Sequence, residues 1–206
     1  MEWTLRANAP MWVWKMILAL VYAVCLLSIP LAGGRVTRLA EVRLRKPGLA
    51  GAAIAMQILI VSIFPAALDS IAEPVHLASY VLLGAFAWVN RHLAGILIVA
   101  LGGALNFFVI SINGGVMPAD PEAVASIGRS VPKGEFINST TLAHPKLAFL
   151  GDIIATPASW PVHNIYSVGD CVIVAGVLVL LHVACGSRLV PPRFRLIHPP
   201  AAAAPA

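Results

Sequence analysis

Apolar residues fall along this chain in long blocks separated by short polar stretches. The blocks run over Met16–Leu31, Leu49–Leu68, Val75–Val89, Leu93–Ile112 and Val168–Cys185. A helix crossing a bilayer needs about 20 predominantly apolar residues, and blocks of this size are that signal. The pattern predicts an all-α polytopic membrane protein with five transmembrane helices, of which Val75–Val89 is the shortest. One long segment, 113–167, lies between the fourth and fifth blocks without an apolar run of its own. Bulk composition agrees: 59% of residues are hydrophobic and only 11% charged, where a soluble domain has roughly a quarter charged.

Charge then orients the spans. Arg35, Arg38, Arg43, Arg45 and Lys46 crowd the loop after the first block, and short loops rich in Lys and Arg stay on the cytoplasmic side. The N-terminus is thereby predicted outside. Alternation places Arg91 and the segment with Arg188, Arg193 and Arg195 inside as well, which accounts for nine of the fourteen Lys and Arg residues. Of the acids, only Glu41 falls inside. The net charge of +5 is explained by this topology, so no nucleic-acid partner is expected. The first block reads as a retained helix and not a signal peptide, because five basic residues follow it. Residues 1–190 form one transmembrane domain on this reading. The Pro/Ala-rich stretch 191–206 is expected to be a disordered cytoplasmic tail. The expected location is the bacterial cytoplasmic membrane, with the lipid bilayer as the first partner.

Segment 113–167 is predicted to be an outer loop, and loops of that length are usually functional. Its turn formers Gly114, Gly115 and Pro118 predict a sharp reversal after the fourth span. Trp160 and Tyr166 fit an interfacial aromatic belt. Cys25, Cys171 and Cys185 all lie within apolar runs and have neither disulfide nor zinc spacing.

Polar groups at membrane depth are costly and mark either packing or function. Gln57 and Asn106 are two of them. Gly102, Gly103 and Ala104 beside Asn106 would let another helix approach closely, with Asn106 hydrogen-bonding across the contact. Asn113 either caps the fourth helix or contributes to a site. Asp152 and Asp170, 18 residues apart in sequence, flank the start of the last span. Two carboxylates brought together cannot both ionise cheaply, so one keeps a proton while the other stays charged. Such a pair activates water and protonates a leaving amine. The alternative for Asp170 is structural, since Ser167-x-x-Asp170 is capping-box spacing, and Asp152 would then be a solvated loop acid.

Two resemblances bear on these residues. Gly33-Gly34-Arg35, Gln57, Leu105-Asn106, Asn113-Gly114-Gly115-x-Met117-Pro118, Leu150-Gly151-Asp152 and Ser167-x-Gly169-Asp170 resemble an actinobacterial family of membrane proteins known as a domain of unknown function. The last third also resembles the lipoprotein signal peptidases, intramembrane aspartic peptidases of bacteria. Asp152-Ile153-Ile154 stands where that family has its first catalytic acid. Ser167-Val168-Gly169-Asp170 stands where it has the second, with Ser167 in place of the motif Asn. Thirty-six residues separate Gly115 from Asp152, far more than in the peptidases, so the resemblance implies a shared fold and acid pair, not a shared substrate.

The resulting expectation is a membrane-embedded hydrolase in which Asp152 and Asp170 are catalytic and Asn106, Asn113, Ser167 and Gln57 bind or orient a membrane-protein substrate. The other functional class is a non-enzymatic accessory or assembly subunit that binds a partner subunit. No cofactor is called for. A metal site of His144, Asp152, His163 and Asp170 would have intervals of 8, 11 and 7, which match no compact ligand motif, so no metal is expected.

Overall fold

The structure, a computed structural model, describes residues 21, 23–63, 69–127, 139–157 and 164–191. It is mostly helical. Helix α1 covers 23–31, and a 3-10 turn over Val36–Glu41 leads to α2 (Pro47–Ile58), which continues as a π-helical turn over Leu59–Ile63. Then come α3 (Asp69–Val89), α4 (Ile96–Ile112), the short α5 (Pro121–Ser126) and α6 (Val168–Ala184). Helix α2 packs on α3, α3 on α4, and α4 on α6. Between α4 and α6 the chain forms two small sheets. Strand β1 (Met117–Pro118) pairs in parallel with β2 (Ser139–Thr140), and β3 (Asp152–Ala155) pairs antiparallel with β4 (Ile165–Ser167).

The helices follow the apolar blocks, with one instructive difference. The third block, expected to be the shortest, belongs to the 21-residue α3. The helix begins before that block, at Asp69, and Pro74 lies inside it, in the second turn, where the missing N–H costs a single bond near the start. Within α3, Ile71–Val89 is long and apolar enough to cross a membrane. Helices α2, α4 and α6 are apolar but shorter, at 12, 17 and 17 residues. Parts of the first two blocks, the expected tail beyond residue 191, Trp160 and His163 lie outside the described residues.

Helices α4 and α6 approach at glycines spaced seven residues apart on each. Gly102 faces Gly169, and Gly95 faces Gly176. The contact leaves no room for a side chain: a Cβ at Gly169 would fall on the Asn106 amide oxygen and 2.7 Å from the Gly102 carbonyl, and one at Gly176 would lie 2.6 Å from the Val99 nitrogen. Backbones this close are how helices associate where no hydrophobic driving force separates them from their surroundings. Of the small residues read from the sequence, Gly102 makes this contact, whereas nothing lies within 4 Å of a Cβ at Gly103.

The ends of the bundle are tied by backbone and amide bonds. At the end remote from the sheets, the Arg35 N–H donates to the Cys185 carbonyl and the Arg188 N–H to Ala32, both at 2.9 Å. The buried Asn90 donates to the Arg45 and Phe86 carbonyls and accepts from the Arg45 N–H. At the other end, Gly114 and Gly115 both adopt positive φ, 71° and 84°, which glycine does at no steric cost. That turn sends the chain from α4 into β1, with the Glu73 side chain against Gly115.

Glycine substitutions separate the two faces of α4. Gly169→Ala should lose at least about 2 kcal/mol to overpacking, whereas Gly103→Ala should be neutral or gain up to about 1 kcal/mol of helix propensity. Thermal unfolding measures both; equal effects would be incompatible with the Gly102–Gly169 contact.

Candidate functional site

Asp152 lies at the centre of the small sheets. Its Cα is paired with Ser167 across the β3–β4 hairpin and with Ala119 in a parallel bridge. Its carbonyl accepts from the Asp120 N–H at 3.0 Å. The pairing shifts between Asp152 and Ile154, a bulge-like irregularity of the kind that re-aims a side chain. The side chain is only 8% exposed, and its Oδ2 accepts the hydroxyl of the buried Ser139 on β2. The reading of Asp152 as a solvated loop acid is therefore wrong: three strand segments converge on it and remove it from water.

Ser167 ends β4 and begins α6. Its hydroxyl accepts from the Asp170 N–H at 3.0 Å, and its N–H donates to Asp170 Oδ2 at 3.0 Å, completing a capping box. The same hydroxyl donates to Asn106 Oδ1 at 2.9 Å, and Asn106 Nδ2 donates to Asp170 Oδ1 at 2.8 Å. Asn106 thus uses both ends of its amide to bind α4 to the start of α6. It can reach because Gly169 puts no side chain between them. Ser167 is fully buried and Asp170 half-buried. One hairpin register places Asp152 opposite the residue that caps Asp170.

The sequence-predicted residues divide into two groups. Asp152, Asp170, Ser167 and Asn106 form this cluster. Asn113 stands apart: it caps α4, donates to the Val109 and Lys146 carbonyls, and accepts from the Lys146 N–H. It fastens the segment around Lys146 to the helix and has no hydrogen bond to either acid. Gln57 donates to Ser79 on α3 at 2.9 Å and serves the α2–α3 contact. His144 is exposed, and among the described residues no group of three His, Cys, Asp or Glu side chains is arranged to hold a metal ion.

Two residues of the cluster were not foreseen. Ser139 supplies the hydroxyl on Asp152. Tyr80, on α3, lies within electrostatic reach of both Asp152 and Asp170. Its ring meets the buried His76 edge-on at 5.3 Å and Phe107 at 6.0 Å. A signal was present, since His76, Ser79 and Tyr80 follow i, i+3, i+4 spacing and share one face of the otherwise apolar stretch Val75–Val89 of the helix. Tyr166, on β4, borders the same region. Burial pushes its phenol above the ordinary value, the Asp170 charge adds to this, and a hydrogen bond with Asn164 opposes it.

Residues 41–182 match the family of unknown function DUF5317. This chain belongs to that family. The matched span includes all six cluster residues, Tyr80, Asn106, Ser139, Asp152, Ser167 and Asp170. The DUF5317 chain is also 29% identical over 101 residues to an uncharacterised protein of Thermotoga maritima, covering 49% of this chain and 58% of that protein. No solved structure matches it.

The two asparagines of α4 should respond differently. Asn106→Ala leaves the Ser167 hydroxyl and Asp170 Oδ1 without their partner in a buried site, a loss of about 2–4 kcal/mol. Asn113→Ala breaks bonds at a partly exposed helix end and should cost about 1 kcal/mol. Urea or thermal unfolding in detergent ranks the two; a larger loss at Asn113 would overturn the assignment of Asn106 as the central tie.

Proposed function

We propose that this chain is a membrane-embedded hydrolase of the aspartic peptidase type, in which Asp152 and Asp170 share one proton at the outer edge of the bilayer. The observation that carries the reading is the hairpin register that sets the buried Asp152 opposite Ser167, with Asp170 one turn further along α6 and Tyr80 within electrostatic reach of both. Packing alone would be served more cheaply by neutral side chains, because burying an acid at an apolar edge is expensive.

In the proposed reaction one carboxylate takes a proton from water as the water oxygen bonds to the substrate carbonyl carbon. The proton held by the pair passes to the amide nitrogen as the C–N bond breaks. Asn106 and Ser167 hold Asp170 in place, and Ser139 holds Asp152. The proposed substrate is a membrane protein or lipid-anchored peptide. Likeness to the lipoprotein signal peptidases supports the fold and the acid pair, and the departures at Ser167 and in the long 113–167 segment argue for a different substrate.

The membrane setting belongs to the same proposal: five spans, N-terminus outside, C-terminus in the cytoplasm, in the bacterial plasma membrane. Supporting it are the exposed apolar faces of the helices, with Val81, Phe108 and Leu101 all outward-facing and Trp88 65% exposed. Patches of this kind on a soluble monomer would be unusual. Arg91 lies over the Trp88 ring at 4.6 Å, the pairing of aromatic and basic side chains found at a membrane interface.

A second reading rests on the capping box. Both Asp170 oxygens already accept a hydrogen bond, one from Ser167 and one from Asn106, which is what a purely structural acid would do. On that reading the chain is an accessory subunit, and its outer segment binds a partner.

Asp152→Asn separates the readings, since the amide oxygen can still accept from Ser139. New N-termini of membrane proteins should appear in cells expressing wild type and be absent with Asp152→Asn or Asp170→Asn, while the unfolding temperature of Asp152→Asn stays within a few degrees of wild type. Identical termini with all three proteins would eliminate the hydrolase and leave the accessory subunit.

A further inference from the structure

At the end of the bundle remote from the acids, two interlocked backbone segments carry three arginines, Arg35, Arg38 and Arg188. The segment after α1 and the segment after α6 are bonded to each other through the Arg35 N–H to Cys185 and the Arg188 N–H to Ala32. This crossing places the Arg188 side chain over Gly33, where a Cβ would lie 2.9 Å from Nε, and the Arg38 guanidinium against Gly186. Gly33 and Gly186 both have positive φ, so each arginine lies over a glycine turn of the opposite segment. Arg35 extends from the same crossing and is exposed, as is Arg188.

Helix C-termini favour cations, and α1 and α6 both end here, which explains why arginines are tolerated so close together. It does not use their donors. Among the described residues the guanidinium groups of Arg35, Arg38 and Arg188 have no ion pair and no hydrogen-bond acceptor. Each planar fork can donate to two oxygens of a phosphate or carboxylate.

Apolar side chains decide which anion fits. Leu31 is 89% exposed and Leu189 73% exposed. Leu31 lies two residues before Gly33, and Leu189 adjoins Arg188. A soluble phosphate or a nucleic-acid backbone would leave both leucines in water. A phospholipid satisfies both halves of the surface, with its phosphate on the arginines and its acyl chains along the leucines.

We propose that Arg35, Arg38 and Arg188 form a binding site for the headgroup phosphate of an anionic phospholipid of the cytoplasmic leaflet. The site rests on the membrane topology proposed above and is independent of the acid pair. Held there, the lipid would join the end of α1 to the end of α6 and brace the helix whose first turn carries Asp170.

The test uses the full-length protein extracted in detergent and exchanged into nanodiscs of phosphatidylcholine with or without phosphatidylglycerol. Wild type should retain phosphatidylglycerol in native mass spectrometry and unfold at higher temperature in its presence. Arg38→Gln/Arg188→Gln should lower that retention roughly tenfold, whereas Arg43→Gln should not. Equal retention of phosphatidylcholine, or the same stabilisation by inorganic phosphate alone, would refute the lipid site. A chain that needs no detergent for extraction would instead refute the membrane topology, so the two failures are distinguishable.

Discussion

The meeting of Gly102 and Gly169 is the contact on which the rest of this protein's chemistry depends. With no side chain on either residue, the α4 and α6 backbones come close enough for the short Asn106 amide to reach both the Ser167 hydroxyl and the Asp170 carboxylate. Any larger residue at position 169 would occupy the space that the Asn106 oxygen now fills. Because Ser167 is also the last residue of β4, the helix contact fixes the hairpin, and the hairpin register fixes Asp152. The packing of two apolar helices is thus transmitted through four residues to a buried acid on a strand.

This chain of constraints gives the polar cluster its character. Five of the six members are hydrogen-bonded to one another: Asp152 to Ser139, Ser167 to Asn106 and the Asp170 N–H, Asp170 to Asn106 and the Ser167 N–H. A network that is satisfied throughout specifies one arrangement, and in a low-dielectric setting the penalty for breaking it is large. Two acids are nevertheless an expensive way to brace a hairpin and a helix start. Asp170 has a structural return in the capping box, so the costlier acid is the buried Asp152, and a local cost of that kind is what functional sites characteristically display. Membership of the DUF5317 family covers every residue of the cluster, and the proposed activity rests on the chemistry of the acids.

Much of the helical framework was legible in the sequence because apolar blocks are long-range patterns that survive local irregularity. The end of the fourth block at Ile112 and the start of the last at Val168 coincide with α4 and α6. The third block showed only the part of α3 from Val75 on, because the first turns, with Asp69, Glu73 and Pro74, are helical without being apolar. Capping-box spacing revealed the Ser167–Asp170 pair directly, since it is a local motif. Asp152 was legible as an unusual residue but not as a buried one, because its burial comes from Ala119, Ser139 and Ser167, brought together by strand pairing that short two- to four-residue strands do not announce. Tyr80 lay hidden for a different reason: an aromatic in an apolar helix looks like core until the fold brings acids of another helix and a hairpin within electrostatic reach. Asn113 and Gln57 show the converse, polar residues in an apolar context whose work is fastening.

The central claim is that Asp152 and Asp170 form a pair holding one proton between them at neutral pH. Difference infrared spectroscopy on the detergent-solubilised protein, carboxyl-labelled at aspartate, observes this directly. One protonated carboxyl band should be present at neutral pH in wild type and vanish on replacing either acid by Asn, because the remaining acid then ionises without its neighbour. Both acids fully ionised at neutral pH in wild type, or a protonated band indifferent to one of the two substitutions, would contradict the pair.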